Sequence, residues 1–240
     1  TLPADRTPTQ ATVGEYLDYL TATARAQGRD RYFTYLPSIA EENAFYASGS
    51  SAGFGIRLAT DAAARRVIVA EAYEGAPALQ AGIDRGTEIL AIGTSAANLR
   101  SVSDIIAAEG TRGISVALGP PDPGVTRVLR VSDASGTRDL TVTKRDYEIT
   151  PVSSRYGVRI FDDGGRRIGY VNLRTFISTA DPALRDAFAQ FKVQGITDFI
   201  IDLRYNGGGL IRIANLMGDL LGGNRQTSDV YTYTAFRPEK

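Results

Sequence analysis

The sequence predicts a chain of mixed α+β and α/β class in three parts: a helical N-terminal segment over residues 1–48, a small β-rich module over 49–150, and the start of a βαβ-containing core domain over 151–240. Three observations carry that prediction. Val13, Tyr16, Leu17, Leu20 and Ala24 follow i, i+3, i+4, i+7 spacing, the mark of a helix with one apolar face. Short β-branched runs broken by turn residues dominate from Gly53 to about Tyr147. Beyond Pro151 a hairpin gives way to a strand, helix, strand, helix series.

The first helix is followed by a second around Ile39 to Tyr46, after Pro37. Strands are then expected at 53–58, 67–71, 88–92, 114–118, 125–131 and 138–144, with a short helix over 76–81 closed by Gly82. Ser101 and Asp104 form a capping box that opens a helix ending at Gly110. In the third part, strands at 158–161 and 168–173 turn on Asp162-Asp163-Gly164-Gly165. A crossover helix over 182–193 has Asp181 as its expected cap, proline at its first position and Gly195 beyond its end. A strand at 197–203 completes a βαβ unit, and another strand is expected at 229–234.

Composition narrows the function. At 240 residues the chain holds roughly one or two domains with ample core. Lys plus Arg balances Asp plus Glu at 27 each, so no net field draws it to nucleic acid or anionic lipid. No apolar run approaches the ~20 residues of a membrane span. The absence of signal-like residues at Thr1 fits either a removed leader or a start inside a longer gene product. Without cysteine there are no disulfides or thiolates; without histidine a Ser-His-Asp triad cannot form and zinc loses its usual ligands. Nothing in the sequence calls for a metal or an organic cofactor. Gly49-Ser50-Ser51-Ala52-Gly53 fits a nucleophile-elbow pattern, but a helix precedes it and a strand follows, the reverse of an elbow, so it reads as a linker.

The most informative stretch runs from Phe199 to Leu210. Phe199-Ile200-Ile201-Asp202-Leu203 reads as a strand covered on both faces, and Arg204-Tyr205-Asn206 marks its carboxyl end. Gly207-Gly208-Gly209 follows, and Leu210, Ile213, Ala214, Met217, Leu220 and Leu221 recur at helical spacing. Amides at such a helix start lack intrahelical partners and suit an anion or oxyanion. The bland alternative is a tight helix start with no chemistry. No lysine followed by serine or threonine completes a phosphate loop, and no third glycine completes a dinucleotide fingerprint.

Taken in order, these features resemble the C-terminal processing peptidases, or tail-specific proteases, which carry a PDZ module inside a serine protease. Gly53-Phe54-Gly55-Ile56 is similar to the carboxylate-binding loop of PDZ domains. Gly75-Ala76-Pro77-Ala78, Ala81-Gly82-Ile83 and Gly86-Thr87-Glu88-Ile89-Leu90 resemble the PDZ segment that follows, and the Asp202 to Gly209 run looks like the core-domain signature. Two pieces of physics stand beside the resemblance. Glycine-rich amides can converge on a carboxylate while the next strand edge pairs with an extended peptide. A lysine can serve as base once burial or neighbouring charge lowers its pKa.

The resemblance implies peptide binding by Gly53, Phe54, Gly55 and Ile56, with Val102, Ile105 and Ile106 as the opposite pocket wall; the alternative is that these apolar residues fill the module's core. It implies that the amide of Gly208 or Gly209 donates to the oxyanion, with Asp202, Arg204 and Asn206 bracing the turn. It further implies a serine nucleophile and lysine base beyond this chain, since Lys144, Lys192 and Lys240 are the only lysines and none follows a serine at Ser-x-x-Lys spacing. The expectation is therefore the inactive amino-terminal portion of a peptidase acting on proteins or peptides with free C-termini. By analogy it is exported, to the bacterial periplasm or cell envelope. The competing class is a non-catalytic peptide- or ligand-binding protein on the same folds. The Gly119-Pro120-Pro121-Asp122-Pro123-Gly124 stretch lengthens the module beyond the usual pattern.

Overall fold

The computed structural model describes residues 10–30, 34–223, 225–226, 228–235 and 238. The chain forms two compact units, residues 1–43 and 44–240. In the first, α1 (Gln10–Ala26) ends with Arg25, whose guanidinium pairs with Asp18, reaches Asp30 at 3.2 Å and donates to the Thr34 carbonyl at 2.9 Å. The helix α2 (Ile39–Ser48) begins after Ser38, whose hydroxyl accepts the Glu41 N–H.

The second unit opens with β1 (Ser50–Gly53), β2 (Ile56–Asp61), β3 (Arg66–Ala72), α3 (Pro77–Gln80) and β4 (Glu88–Gly93). After a 3-10 turn at Ala96–Asn98 come β5 (Arg100–Ser101), α4 (Val102–Glu109), α5 (Arg112–Leu118), β6 (Thr126–Asp133), β7 (Gly136–Thr143) and β8 (Arg145–Glu148). Strands β2-β3-β4-β6-β7 lie in that order in one antiparallel sheet, with β5 on β4, while β1 and β8 pair separately. Val67, Val69, Ile83, Ile89, Ile105 and Leu129 anchor its core. Ser101 caps α4 by accepting the Asp104 N–H at 3.0 Å, as the capping box predicts.

A second core lies beyond residue 150. The strands β9 (Val158–Asp163) and β10 (Arg166–Asn172) form the expected hairpin, α6 (Ala180–Val193) crosses over, and β11 (Asp198–Asp202) pairs parallel with β10 before α7 (Ile211–Leu221). Leu184, Phe188 and Phe191 of α6 meet Val171 and Leu173 and the first turns of α7 at Ile213. Every third or fourth residue of α6 is therefore buried, which is what the apolar spacing requires.

Three details differ from expectation. Residues 114–118 are helical, in α5, because burial falls on Gly113, Ile114, Ala117 and Leu118 at helical spacing, while Val116, which mimicked strand alternation, is exposed. Asp181 lies inside the first turn of α6 and pairs with Arg185 one turn on; Thr179 holds the cap position. Residues 229–234 form no strand; there is no neighbouring strand among the described residues for them to join.

An ionic network joins the β-rich module to β10. Arg174 sits just past β10, 5% exposed at its side chain, and pairs with Glu71 of β3 at 2.5 Å and with Glu74. The Tyr156 hydroxyl donates to Glu71 and Ser153 Oγ to Glu74 at 2.5 Å. Around it, Arg155 pairs with Asp84 and Arg85 with Glu71. Burial would raise the Glu74 carboxyl, but hydrogen bonds from Arg174 and Ser153 outweigh it and hold the group below its ordinary range.

Two outcomes follow from this network. Arg174→Met leaves the half-buried Glu74 carboxylate without a cation and the buried Glu71 with Arg85 alone, and is expected to cost about 3 to 5 kcal/mol, most of it recovered when Glu71→Gln and Glu74→Gln are added; chemical denaturation of the three variants checks this. Glu74 has a depressed folded-state pKa, so its stabilisation is present above its ordinary value of 4.5 and is lost as pH falls below it; thermal melts from neutral pH to pH ~3 are expected to fall more steeply for the native chain than for Glu74→Gln.

Candidate active-site turn and carboxylate loop

The carboxyl end of β11 is tied down by its own side chains. Asp202 accepts the Arg204 N–H at 2.9 Å, the Arg204 guanidinium at 2.6 Å and the Tyr170 hydroxyl at 2.6 Å. The Arg204 contact, against opposition from burial, holds the Asp202 carboxyl far below the usual carboxylate range. Its main-chain oxygen takes the Leu173 N–H at 3.1 Å and the Asn172 Nδ2 at 3.1 Å. Tyr205 then adopts φ +65°, a left-handed conformation unfavourable for a bulky side chain, and the Asn206 N–H closes onto the Leu203 carbonyl at 3.0 Å.

Asn206 latches the turn onto the end of β10. Its Nδ2 donates to the Leu173 carbonyl at 2.8 Å and its Oδ1 accepts the Gly208 N–H at 2.7 Å. Phe176 completes the clamp: its N–H donates to the Gly208 carbonyl at 2.9 Å and its carbonyl accepts the Leu210 N–H at 2.7 Å, a parallel bridge centred on Gly209. In such a bridge the central residue turns its own N–H and C=O to the opposite edge. Gly209 accordingly has an N–H without a partner among the described residues, whereas the Gly208 N–H is already taken. Of the two oxyanion candidates, only Gly209 keeps an open donor. Glycine is obligatory there, since φ is +140° and a Cβ would lie 2.3 Å from the Phe176 carbonyl oxygen.

The second locus is the Gly53–Ile56 loop. The carbonyls of Phe54 and Gly55 accept N–H groups of Ala78 and Tyr73, at 2.9 Å each. The N–H groups of Phe54 and Gly55 have no partner among the described residues, so two successive amides remain open beside the outer edge of β2, which pairs only with β3. Gly55 has φ +75°, and a Cβ would collide with that of Ala76 at 1.9 Å. The side chains are placed differently from the expected pocket. Phe54, Val102, Ile105 and Ile106 are buried in the module's core, Ile105 completely, so the core-filling alternative describes them; Ile56 is half-buried on the edge strand.

Sequence reasoning missed three groups near these loci. Lys144 is buried, donates to the Gly119 and Pro120 carbonyls at 2.8 and 2.6 Å, and lies 4.7 Å from the centre of the Phe54 ring. Burial, then repulsion from Arg127, lowers its pKa. The long Gly119–Gly124 stretch is thus anchored by this ammonium. Arg174 and Glu71 form the buried pair described above; Glu71 falls on the inward face of β3 in step with Val67 and Val69, and a charge on an apolar face is the signal that betrays a buried partner. Asn172, the third, left no comparable trace.

Residues 167–239, which hold the parallel strand β11, the glycine turn and its outward amide, match the profile described as Peptidase family S41. "C-terminal processing peptidase, chloroplastic" of Tetradesmus obliquus is 28% identical over 204 residues, covering 77% of this chain and 42% of that protein. "Carboxyl-terminal-processing peptidase 3, chloroplastic" of Arabidopsis thaliana is 30% identical over 169 residues, covering 68% of this chain and 31% of its own length. The chain belongs to the carboxyl-terminal processing peptidases of family S41. It spans well under half the length of these relatives. A solved "photosystem II D1 C-terminal processing protease" aligns over 89% of this chain and 54% of that one, at 24% identity and a TM-score of 0.46. Among the described residues no helix is long and apolar enough to cross a membrane.

The unequal engagement of the two glycine amides is measurable. In amide hydrogen exchange Gly209 is expected to exchange much faster than Gly208, and Asn206→Leu to release Gly208 to a similar rate. The same substitution costs about 1 to 3 kcal/mol by stranding the Leu173 carbonyl and the Gly208 N–H. Equal protection of the two glycines in the native chain would contradict the clamp.

Proposed function

We propose that this chain is the substrate-capturing and oxyanion-supplying part of a serine-type endopeptidase that recognises proteins by their free carboxyl tails. The unpartnered Gly209 N–H, held outward by the Phe176 bridge, is the observation that carries the reading. When a nucleophile attacks a peptide carbonyl, negative charge gathers on its oxygen, and a preorganised donor stabilises that charge without reorganising. Asp202, Arg204 and Asn206 act by holding the turn and take no part in bond making. In this reading the Phe54 and Gly55 amides receive the tail carboxylate, and the β2 edge pairs with the preceding residues as an added strand.

The attacking serine and its lysine base are supplied by polypeptide outside these 240 residues, as the limited coverage of the longer relatives supports. Lys144 is committed to the Gly119 and Pro120 carbonyls, beside the Phe54 ring of the module. Lys192 belongs to the last turn of α6, the crossover helix. The chain alone is then inactive. The same reading divides it at residues 48 and 150, into a helical segment, a PDZ-like peptide-binding domain and a partial protease core. It also puts the protein outside the cytoplasm, in the periplasm or envelope of a bacterium, acting on proteins or peptides with free C-termini.

Two measurements test this reading. A peptide ending in a free carboxylate is expected to bind at least about tenfold more tightly than its amidated twin, and Gly55→Ala to abolish the difference; equal affinities would remove carboxylate capture. In the full-length enzyme Gly209→Ala is expected to lower kcat by about 10² to 10³, with KM changed little. A variant of normal kcat would deny the turn its role.

A further inference from the structure

A cleft of about 250 Å3 lies between the strand-rich module and the carboxyl ends of β10 and β11, lined among others by Ala70, Gly86, Asn172, Asp202, Arg204 and Tyr205. Asn172 is 4% exposed, yet its Oδ1 has no hydrogen-bond partner among the described residues. The orientation of the amide is fixed chemically: only its NH2 end can face the Asp202 carbonyl oxygen, 3.1 Å away, which leaves the acceptor end unpaired and out of contact with solvent, so a partner reaches it only as the side chain turns toward the cleft. A buried acceptor without a donor is costly and is retained where something arrives to satisfy it.

The neighbouring groups restrict what that something is. The Asp202 carboxylate already accepts from Arg204 and Tyr170, so it offers an incoming cation no free charge. A phosphate or carboxylate brings only acceptors and would oppose Asn172 Oδ1. Arg204, whose side chain is 74% exposed, keeps donors available on the same wall. An acceptor and a donor lining one cleft match an extended polypeptide, whose N–H and C=O groups alternate along the strand. We propose that this cleft is a main-chain subsite, in which Asn172 Oδ1 accepts a peptide N–H of the substrate and the Arg204 guanidinium donates to an adjacent peptide carbonyl. Asn172 lies opposite Asp202 in the β10–β11 register, four residues before Phe176, so the cleft adjoins the chain segment that clamps Gly209. The inference rests on the peptidase reading and deepens it: recognition by main chain carries no side-chain specificity, so selection falls to the carboxyl tail.

The test uses acetyl-tetraalanine-amide, which has no free carboxylate and so does not depend on the Gly53–Ile56 loop, together with its backbone N-methylated twin. The isotope-labelled 240-residue chain is titrated with each and the Asn172 side-chain amide resonance is followed by NMR. Expected are shifts at Asn172 and Arg204 with the first peptide, with affinity reduced about three- to tenfold by N-methylation or by Asn172→Leu. The N-methylated arm keeps the test decisive if Asn172→Leu fails to fold. Equal binding of the two peptides, an unmoved Asn172 resonance at millimolar peptide, or a water that stays on Oδ1 in the peptide-saturated protein would each overturn the subsite. Carboxylate capture can fail with this result intact, and the reverse.

Discussion

The clamp of Phe176 on either side of Gly209 is the constraint on which the site depends. Two main-chain bonds, to the Gly208 carbonyl and from the Leu210 N–H, fix three successive peptide planes against the end of β10. Strand geometry then dictates the direction of the remaining amide, with no catalytic side chain needed to aim it. The close approach that makes this possible leaves no room for a Cβ at residue 209. Glycine at 209 is therefore less a flexible hinge than a steric requirement of bringing one backbone against another, whereas a Cβ at Gly207 or Gly208 would meet open space.

Such a clamp is only as well placed as the strand end that holds it, and there the buried ions matter. Arg174 lies two residues before Phe176 and is bound to Glu71 and Glu74 from the β3 side of the module. Desolvating these groups is expensive, and their mutual attraction offsets it only because Tyr156 and Ser153 satisfy further lone pairs. An apolar contact would have tolerated sliding. A charge fork with fixed geometry does not, so the module is held in register with the residues that shape the glycine turn. Stability is a weak reason to keep such a pair; positional definition is a stronger one.

Much of this was legible in the sequence because it is local. The βαβ unit, the hairpin at Gly164-Gly165 and the capped α4 are written in spacing and turn chemistry within short windows. The glycine turn was recognisable as a helix start with spare amides, but which amide stays open depends on Asn206 reaching back to residue 208, and no spacing rule distinguishes the two glycines. Val102, Ile105 and Ile106 illustrate the converse: an apolar stripe looks the same whether it lines a groove or fills a core, and only burial separates the two. In α5, alternating Ile114, Val116 and Leu118 satisfied a strand pattern as well as a helical one, since so short an apolar run cannot decide a period. Long-range ionic partners such as Arg174 and Glu71, 103 residues apart, have no local signature beyond a charge on an apolar face.

The engagement of Gly208 by Asn206 has a consequence for the chemistry. A tetrahedral oxyanion is typically met by two donors, and in several unrelated hydrolases one of them is a main-chain N–H at or beside the nucleophile. With Gly208 consumed, this turn presents a single N–H from Gly209. The Asn206 bond that removes the first donor is also what holds the turn against Leu173, so freeing Gly208 would loosen the very element that orients Gly209. A donor held rigidly in place stabilises the oxyanion without reorganising at the moment of reaction, so the side chain that consumes Gly208 also preserves the donor that remains. On the peptidase reading the second donor must then arrive with the segment that brings the nucleophile, and the oxyanion hole is complete only when that segment is docked beside the turn.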